Sequence, residues 1–343
     1  MNKINSLLDE RFVLDLFKRE VMPRYPEFSG IKKIKINPIK NNIWLTTYHV
    51  VINYQTTFSA GKNEIKILPL YCTAHSDEPR LNSFQASTFL WQNGFNRGNL
   101  TMPRPLFYSE YFNAFFYQGL KGKNLYYYIQ SSDLPAAKSV VAKTAAWFAK
   151  LHALPADPMK NFNPLNSLIE TIIPGMNNAL TKVKLTYPRY YKACRQAYQI
   201  VNQAEKKYFA VSGERRLIHG DAHPENIIRI SRNKIGVIDF TDICLADPAR
   251  DVGTFIQQLE FMAQDKIKDA LRLGEIKRLF LYEYFKNAKI DLSPSWEERI
   301  ANYYHWTALR TAIFFLLKDK AEPERAHGLL IKISRDLKLK NKI

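Results

Sequence analysis

Asp221, Asn226 and Asp239 carry the oxygen chemistry that moving a phosphoryl group requires. Four residues separate Asp221 from Asn226 in His219-Gly-Asp-Ala-His-Pro-Glu-Asn226, and Asp239 ends an apolar, strand-like segment in Val237-Ile-Asp-Phe-Thr-Asp242. Phosphoryl transfer spreads negative charge over the migrating group, so it demands positioning and charge neutralisation more than covalent chemistry. One carboxylate must accept the proton of an attacking hydroxyl, while an amide oxygen and a second carboxylate hold Mg²⁺ against the phosphates. A loop presenting Asp221 and Asn226 beside a strand end bearing Asp239 supplies all three.

Asp221 is the candidate general base, and a carboxylate of ordinary pKa suffices for a loose transition state. Asn226, set in a turn by Pro224-Glu225, and Asp239 are the candidate metal ligands. Hard oxygen donors of this kind favour Mg²⁺. His219 is expected to brace the loop. His223 stands next to the acceptor position, and Asp242 is placed where it could meet a cationic acceptor or serve the fold. Taken singly, such Asp and Asn residues are ordinary turn formers; two motifs in order, each ending an apolar run, point to chemistry.

The elements that must position them can be read from periodicity. Residues 5–18 have the spacing of a short amphipathic helix. Ile31–Ile36, Trp44–Tyr54 and Glu64–Thr73 are rich in β-branched and aromatic residues and predict strands of an antiparallel sheet. Asn82–Asn93 reads as a helix, followed by strands at Leu106–Tyr108 and Ala114–Tyr117. From Ala136 the pattern is mostly helical: 140–154, 177–210 with a break near Pro188, 252–265, 274–287 and 296–318. His152 reads as a hydrogen-bonded packing residue and Asp251 as a helix cap or ion-pair partner, while Asp247, like Asp242, could meet a cationic acceptor or serve the fold as a cap or ion-pair partner.

Composition bounds the class. The 343 residues, 46% hydrophobic and 13% aromatic, suit a compact protein of about two domains. No apolar run approaches the ~20 residues of a membrane span, and the N-terminal segment lacks a signal-peptide pattern. Three scattered cysteines (Cys72, Cys194, Cys244) give no metal cluster or disulfide framework and suit a reducing cytoplasm. The formal charge of +18 is spread along the chain. Its densest run, Lys338–Ile343, reads as the solvated end of a terminal helix, and no nucleic-acid partner is expected.

The two motifs, with Leu245-Ala-Asp-Pro-Ala-Arg-Asp251 after them, resemble the signature of the aminoglycoside phosphotransferase and choline kinase family, small-molecule relatives of protein kinases. Gly220 and Thr241 stand where protein kinases carry the Arg of H-R-D and the Gly of D-F-G. The resemblance implies an α+β, protein-kinase-like fold of two lobes. Residues 1–117 would form the small antiparallel-sheet lobe, 118–123 the hinge and 124–343 the larger helical lobe. It implies ATP and Mg²⁺ as cofactors and a hydroxyl on an amino sugar, a sugar or an amino alcohol as acceptor. Gln118 and Leu120, in the hinge, are the adenine-binding candidates.

Two family features are missing. Kinases grip the α and β phosphates with a strand-borne Lys held by a helix Glu; here Tyr71–Thr73 offers no Lys and Gln85 stands at the helix position. Lys66 is the nearest substitute on the strand and Arg80 another cation within reach. Asn37-Pro-Ile-Lys-Asn-Asn42 occupies the place of the glycine-rich phosphate loop. These departures motivate a second expectation, a kinase-like nucleotide-binding or regulatory protein with little turnover.

Overall fold

Helix α1 (Glu10–Glu20) begins at Asp9, whose carboxylate accepts the Phe12 amide at 2.8 Å. This side-chain cap satisfies one of the helix's orphan donors. The computed structural model describes residues 2–61, 64–78, 80–172 and 175–340. They divide into two compact units: 1–123 with 228–241, and 124–227 with 242–343.

In the first unit, β1 (Phe28–Ile43), β2 (Tyr48–Ala60) and β3 (Glu64–His75) follow α1. Then come α2 (Leu81–Leu90), β4 (Leu100–Thr101), β5 (Arg104–Ser109), β6 (Ala114–Gln118) and β7 (Lys123–Asn124). Five strands make an antiparallel sheet in the order β1-β2-β3-β6-β5. Strand side chains alternate between faces. Val50, Ile52 and Tyr54 of β2 and Leu68, Leu70, Cys72 and Ala74 of β3 therefore share one buried face. Val13, Leu16 and Phe17 of α1 cover it, with Phe17 edge-on to Tyr54 and Phe116 at 5.1 and 6.3 Å. Burying each large side chain contributes roughly 1.5–3 kcal/mol. On the opposite face Phe84 of α2 meets Tyr108 and Phe115.

The second unit takes most of the remaining chain. Its helices are α3 (Leu125–Gln130), α4 (Leu134–His152), α5 (Met176–Thr186) and α6 (Pro188–Val211). Its strands β8 (Arg216–Ile218) and β11 (Cys244–Ala246) pair antiparallel and lead to α7 (Ala249–Ala263), α8 (Ala270–Ala288), α9 (Pro294–Leu317) and α10 (Pro323–Asp336), while β9 (Ile227–Arg229) and β10 (Ile235–Val237), between them in the chain, fall in the first unit from Ile228 on. Pro188 is the first residue of α6, where its missing amide costs nothing, so the expected break falls there. Phe148, Phe255 and Phe280, from α4, α7 and α8, meet in the core with Phe255 stacked on Phe280 at 4.4 Å.

Residues 228–241, which the sequence reading placed in the larger lobe, group with the first unit. The reason is hydrogen bonding: β10 pairs in parallel with β4, Ile235 opposite Leu100 and Gly236 opposite Thr101. Leu120 packs directly over Gly236, leaving no room for a Cβ there. Of the basic tail, residues 341–343 lie outside the described residues.

Candidate active site

The Asp221–Asn226 loop belongs to the second unit, where one buried carboxylate organises its start. Asp251, in the first turn of α7, accepts the His219 amide at 2.6 Å, the Gly220 amide at 2.9 Å and His152 Nε2 at 3.1 Å. His152 Nδ1 in turn lies 2.8 Å from the Tyr284 hydroxyl. Burial pushes the Asp251 pKa up, but the His152 hydrogen bond and charge, the His219 charge and the His219 amide outweigh it, so the net shift is downward. The loop backbone is thus strapped to α7 by an ionised side chain that touches no reacting group.

Gly220 has φ +83°, a left-handed conformation, and a Cβ there would lie 2.3 Å from the Asp242 carbonyl oxygen. No side chain fits, which accounts for Gly where protein kinases carry Arg. Gly220→Ala is expected to destabilise the fold by about 1–3 kcal/mol or more, with a lower melting temperature as the readout. The Asp242 carbonyl is held from its other side by Asn166 Nδ2 at 2.9 Å.

Beyond the strap, Asp221 presents a half-exposed carboxylate. His223 Nε2 lies 3.4 Å from its Oδ2. Burial would raise the Asp221 pKa, but the His223 hydrogen bond and charge, together with the charges of His219 and Arg310, bring it down to about 2. Asn226 Nδ2 donates to the Asp221 backbone carbonyl at 3.0 Å and approaches Oδ2 at 3.4 Å. The Asn226 amide is thereby oriented with its Oδ1 turned away from these acceptors, as a metal ligand would require. Asp242 and Asp221 both feel the charge of Arg310 from α9. Asp247 caps α7 through the Ala249 amide at 2.9 Å and pairs with Arg299 at 2.7 Å; burial pushes it up to about 6 against that pairing.

The first unit holds Asp239 and the hinge candidates. Asp239 adopts a left-handed φ of +66°, and its Oδ1 accepts the Thr241 hydroxyl at 2.8 Å and the Thr241 amide at 3.3 Å. Its side chain is exposed, and Oδ2 takes no part in these bonds. Tyr117 lies near enough for the Asp239 charge to add to the upward shift that burial gives its hydroxyl. The Gln118 side chain accepts the Tyr25 hydroxyl at 2.7 Å, on the α1-covered face, while its backbone stays in register with Leu70 and Arg104. The Gly119 amide donates to the Pro69 carbonyl, and the Leu120 amide makes no backbone hydrogen bond among the described residues.

The strand expected to bear the phosphate-gripping Lys is settled by parity. Tyr71 stacks on Tyr117 at 5.4 Å and lies so close over Gly119 that a Cβ there would be 2.2 Å from its ring. Lys66 shares the opposite face with Leu68, Leu70 and Cys72, its Nζ 5.8 Å from the Phe28 ring centroid. The structure therefore does not bring Lys66 to the Tyr117–Asp239 face, because an even-numbered residue of β3 cannot point there. Tyr117, Asn166 and Arg310 were not singled out from sequence, and no local pattern marks them.

Among the described residues no three His, Cys, Asp or Glu converge as a metal cluster. An amide oxygen and a carboxylate do suit Mg²⁺, which keeps several waters and takes its other oxygens from phosphate.

A kinase-like α+β fold carrying the Asp221–Asn226 loop defines a class, and comparison with known proteins agrees. The phosphotransferase enzyme family matches residues 61–285, and the chain belongs to that family. It is a small-molecule kinase. Among solved structures it is similar to an ethanolamine kinase from Plasmodium vivax (TM-score 0.58, 13% identity, 94% of this chain and 87% of that one). It is also similar to a choline/ethanolamine kinase family protein from Mesorhizobium loti (0.56, 15%, 93% and 92%). A spectinomycin phosphotransferase aligns at 0.56 with 12% identity over 97% and 96% of the two chains. No curated protein matches in sequence. No helix among the described residues is long and apolar enough to cross a membrane.

Proposed function

We propose that this phosphotransferase moves the γ-phosphoryl group of ATP to a hydroxyl of a small molecule, with Asp221 receiving the hydroxyl proton. The observation that carries this reading is the Asp221–Asn226 loop, whose carboxylate is ionised and whose amide oxygen is aimed by its own hydrogen bonds. Asn226 Oδ1 and Asp239 Oδ2 are the oxygens that would hold Mg²⁺, which when bound neutralises the phosphate charge. Gln118 and Leu120 are the backbone groups for the adenine edge. A carboxylate with a pKa of about 2 is a weak base, so its work is to align the hydroxyl and take the proton late, as a loose transition state allows. Solved relatives of this fold that hold ADP with spectinomycin, or GDP with kanamycin, support nucleotide use.

His223 and Asp242 remain the acceptor-facing candidates. Arg310 sets a cation within range of both Asp221 and Asp242, which disfavours polycationic amino sugars among the possible acceptors. Tyr71 in place of a phosphate-gripping Lys favours a second reading, a nucleotide-binding protein with little turnover.

Calorimetry separates the readings. Mg²⁺-dependent ATP binding is expected for the native chain, weakened at least tenfold by Asp239→Ala. Binding indifferent to both metal and mutation would overturn the kinase assignment.

A further inference from the structure

The first unit lacks the Lys and Glu of a kinase phosphate grip, yet it buries a cation beside the Asp239 turn. Arg80 is the N-cap residue of α2 and only 7% exposed, and its Nε has no hydrogen-bond partner among the described residues. Its one ion pair among the described residues is a long 3.5 Å contact to Glu78, whose own side chain is 63% exposed. Ser83, one helical turn on and therefore on the same side of the helix, is 4% exposed with an unpartnered Oγ. The N-cap side chain makes no capping bond, Asn82 Oδ1 accepts the Ser83 amide at 2.8 Å, and the Leu81 and Asn82 amides have no acceptor among the described residues. Asn82 Nδ2 reaches the Thr241 carbonyl at 3.4 Å, tying this helix end to the turn that carries Asp239. His49 and His75 pack ring to ring at 4.6 Å at the facing ends of β2 and β3, His75 Nδ1 accepts the Asp77 and Glu78 amides, and His49 feels the Arg80 charge.

Buried polar atoms are normally satisfied, and an open helix N-terminus is a ready anion site. Two orphaned donors on one side of such a terminus are explained together by a bound anion. We infer that the first turn of α2, with Arg80 and Ser83, grips the non-transferred phosphates of the nucleotide in place of the absent strand Lys and helix Glu. This rests on the kinase reading above. Arg80 supplies planar, bidentate donors to phosphate oxygens, Ser83 a hydroxyl, and the free amides the rest. The cation has moved from the middle of a strand to the head of the adjoining helix, on the side of the unit where Asp239 sits.

The test is calorimetric binding of adenosine, AMP, ADP and a non-hydrolysable ATP analogue to the native chain and to Arg80→Gln, Arg80→Lys and Ser83→Ala. Arg80→Gln is expected to weaken ADP and the analogue about 10- to 100-fold, with adenosine unchanged, which also shows that the variant is folded. Arg80→Lys should recover part of the loss, and Ser83→Ala should lose severalfold. Free phosphate as the natural occupant would instead show as tight phosphate binding that Arg80→Gln abolishes while ADP affinity stays unchanged, and it would overturn the inference. Equal ADP binding by the native chain and both Arg80→Gln and Ser83→Ala would overturn it and leave the kinase reading standing. Absence of nucleotide binding by the native chain would overturn both.

Discussion

Asp221→Asn is expected to lower kcat by about 10²–10⁴-fold while nucleotide affinity and melting temperature barely change. The substitution removes the proposed proton acceptor but keeps the shape. Asn226 anchors to the Asp221 backbone carbonyl, not chiefly to its side chain, so the loop survives. The carboxylate is half-exposed, and the ionic contribution of such a group to stability is small. Steady-state kinetics beside a thermal melt decide the matter. A variant with near-native kcat would remove Asp221 from the chemistry and transfer the role of the loop to binding alone.

The second large effect is the opposite in kind. Asp251→Ala should cost about 3–5 kcal/mol of stability, the range for breaking a buried ionic pairing, because the His219 and Gly220 amides and His152 would all lose their acceptor. Activity should fall with it, although Asp251 reaches no substrate. The pH dependence has a defined sign. Asp251's folded pKa is depressed, so its stabilisation is present above the ordinary carboxylate pKa of about 3.9 and lost as pH falls through the folded value. Urea unfolding of native and variant chains should therefore differ most near neutrality and converge in acid. A constant gap from neutral to acid pH would show that Asp251 acts by shape rather than charge.

What could be read from the sequence is what is local in the chain. The Asp221–Asn226 loop and the apolar run before Asp239 lie within a short segment, and strand and helix periods show in their own residues. Lys66 shows where local reading stops. Its parity with Leu68, Leu70 and Cys72 was visible, but which face α1 would cover was not, since that depends on a helix some fifty residues earlier folding back. Arg80 was visible only as a cation within reach. Its burial and its unpartnered Nε follow from where α2 docks. The membership of 228–241 in the first unit likewise depends on a parallel pairing with β4 that no turn signal announces.

That pairing also bears on the order in which the protein is made. Domains tend to fold as units while the chain emerges, N-terminal first, yet β4 waits for β10 until well over a hundred further residues have been synthesised. Closing so long a loop costs little more than a short one at equilibrium, about 0.6 kcal/mol per doubling of length, but it comes late in time. The nascent first unit therefore stands without Asp239 through much of translation and gains it only after the Asp221 loop has been made.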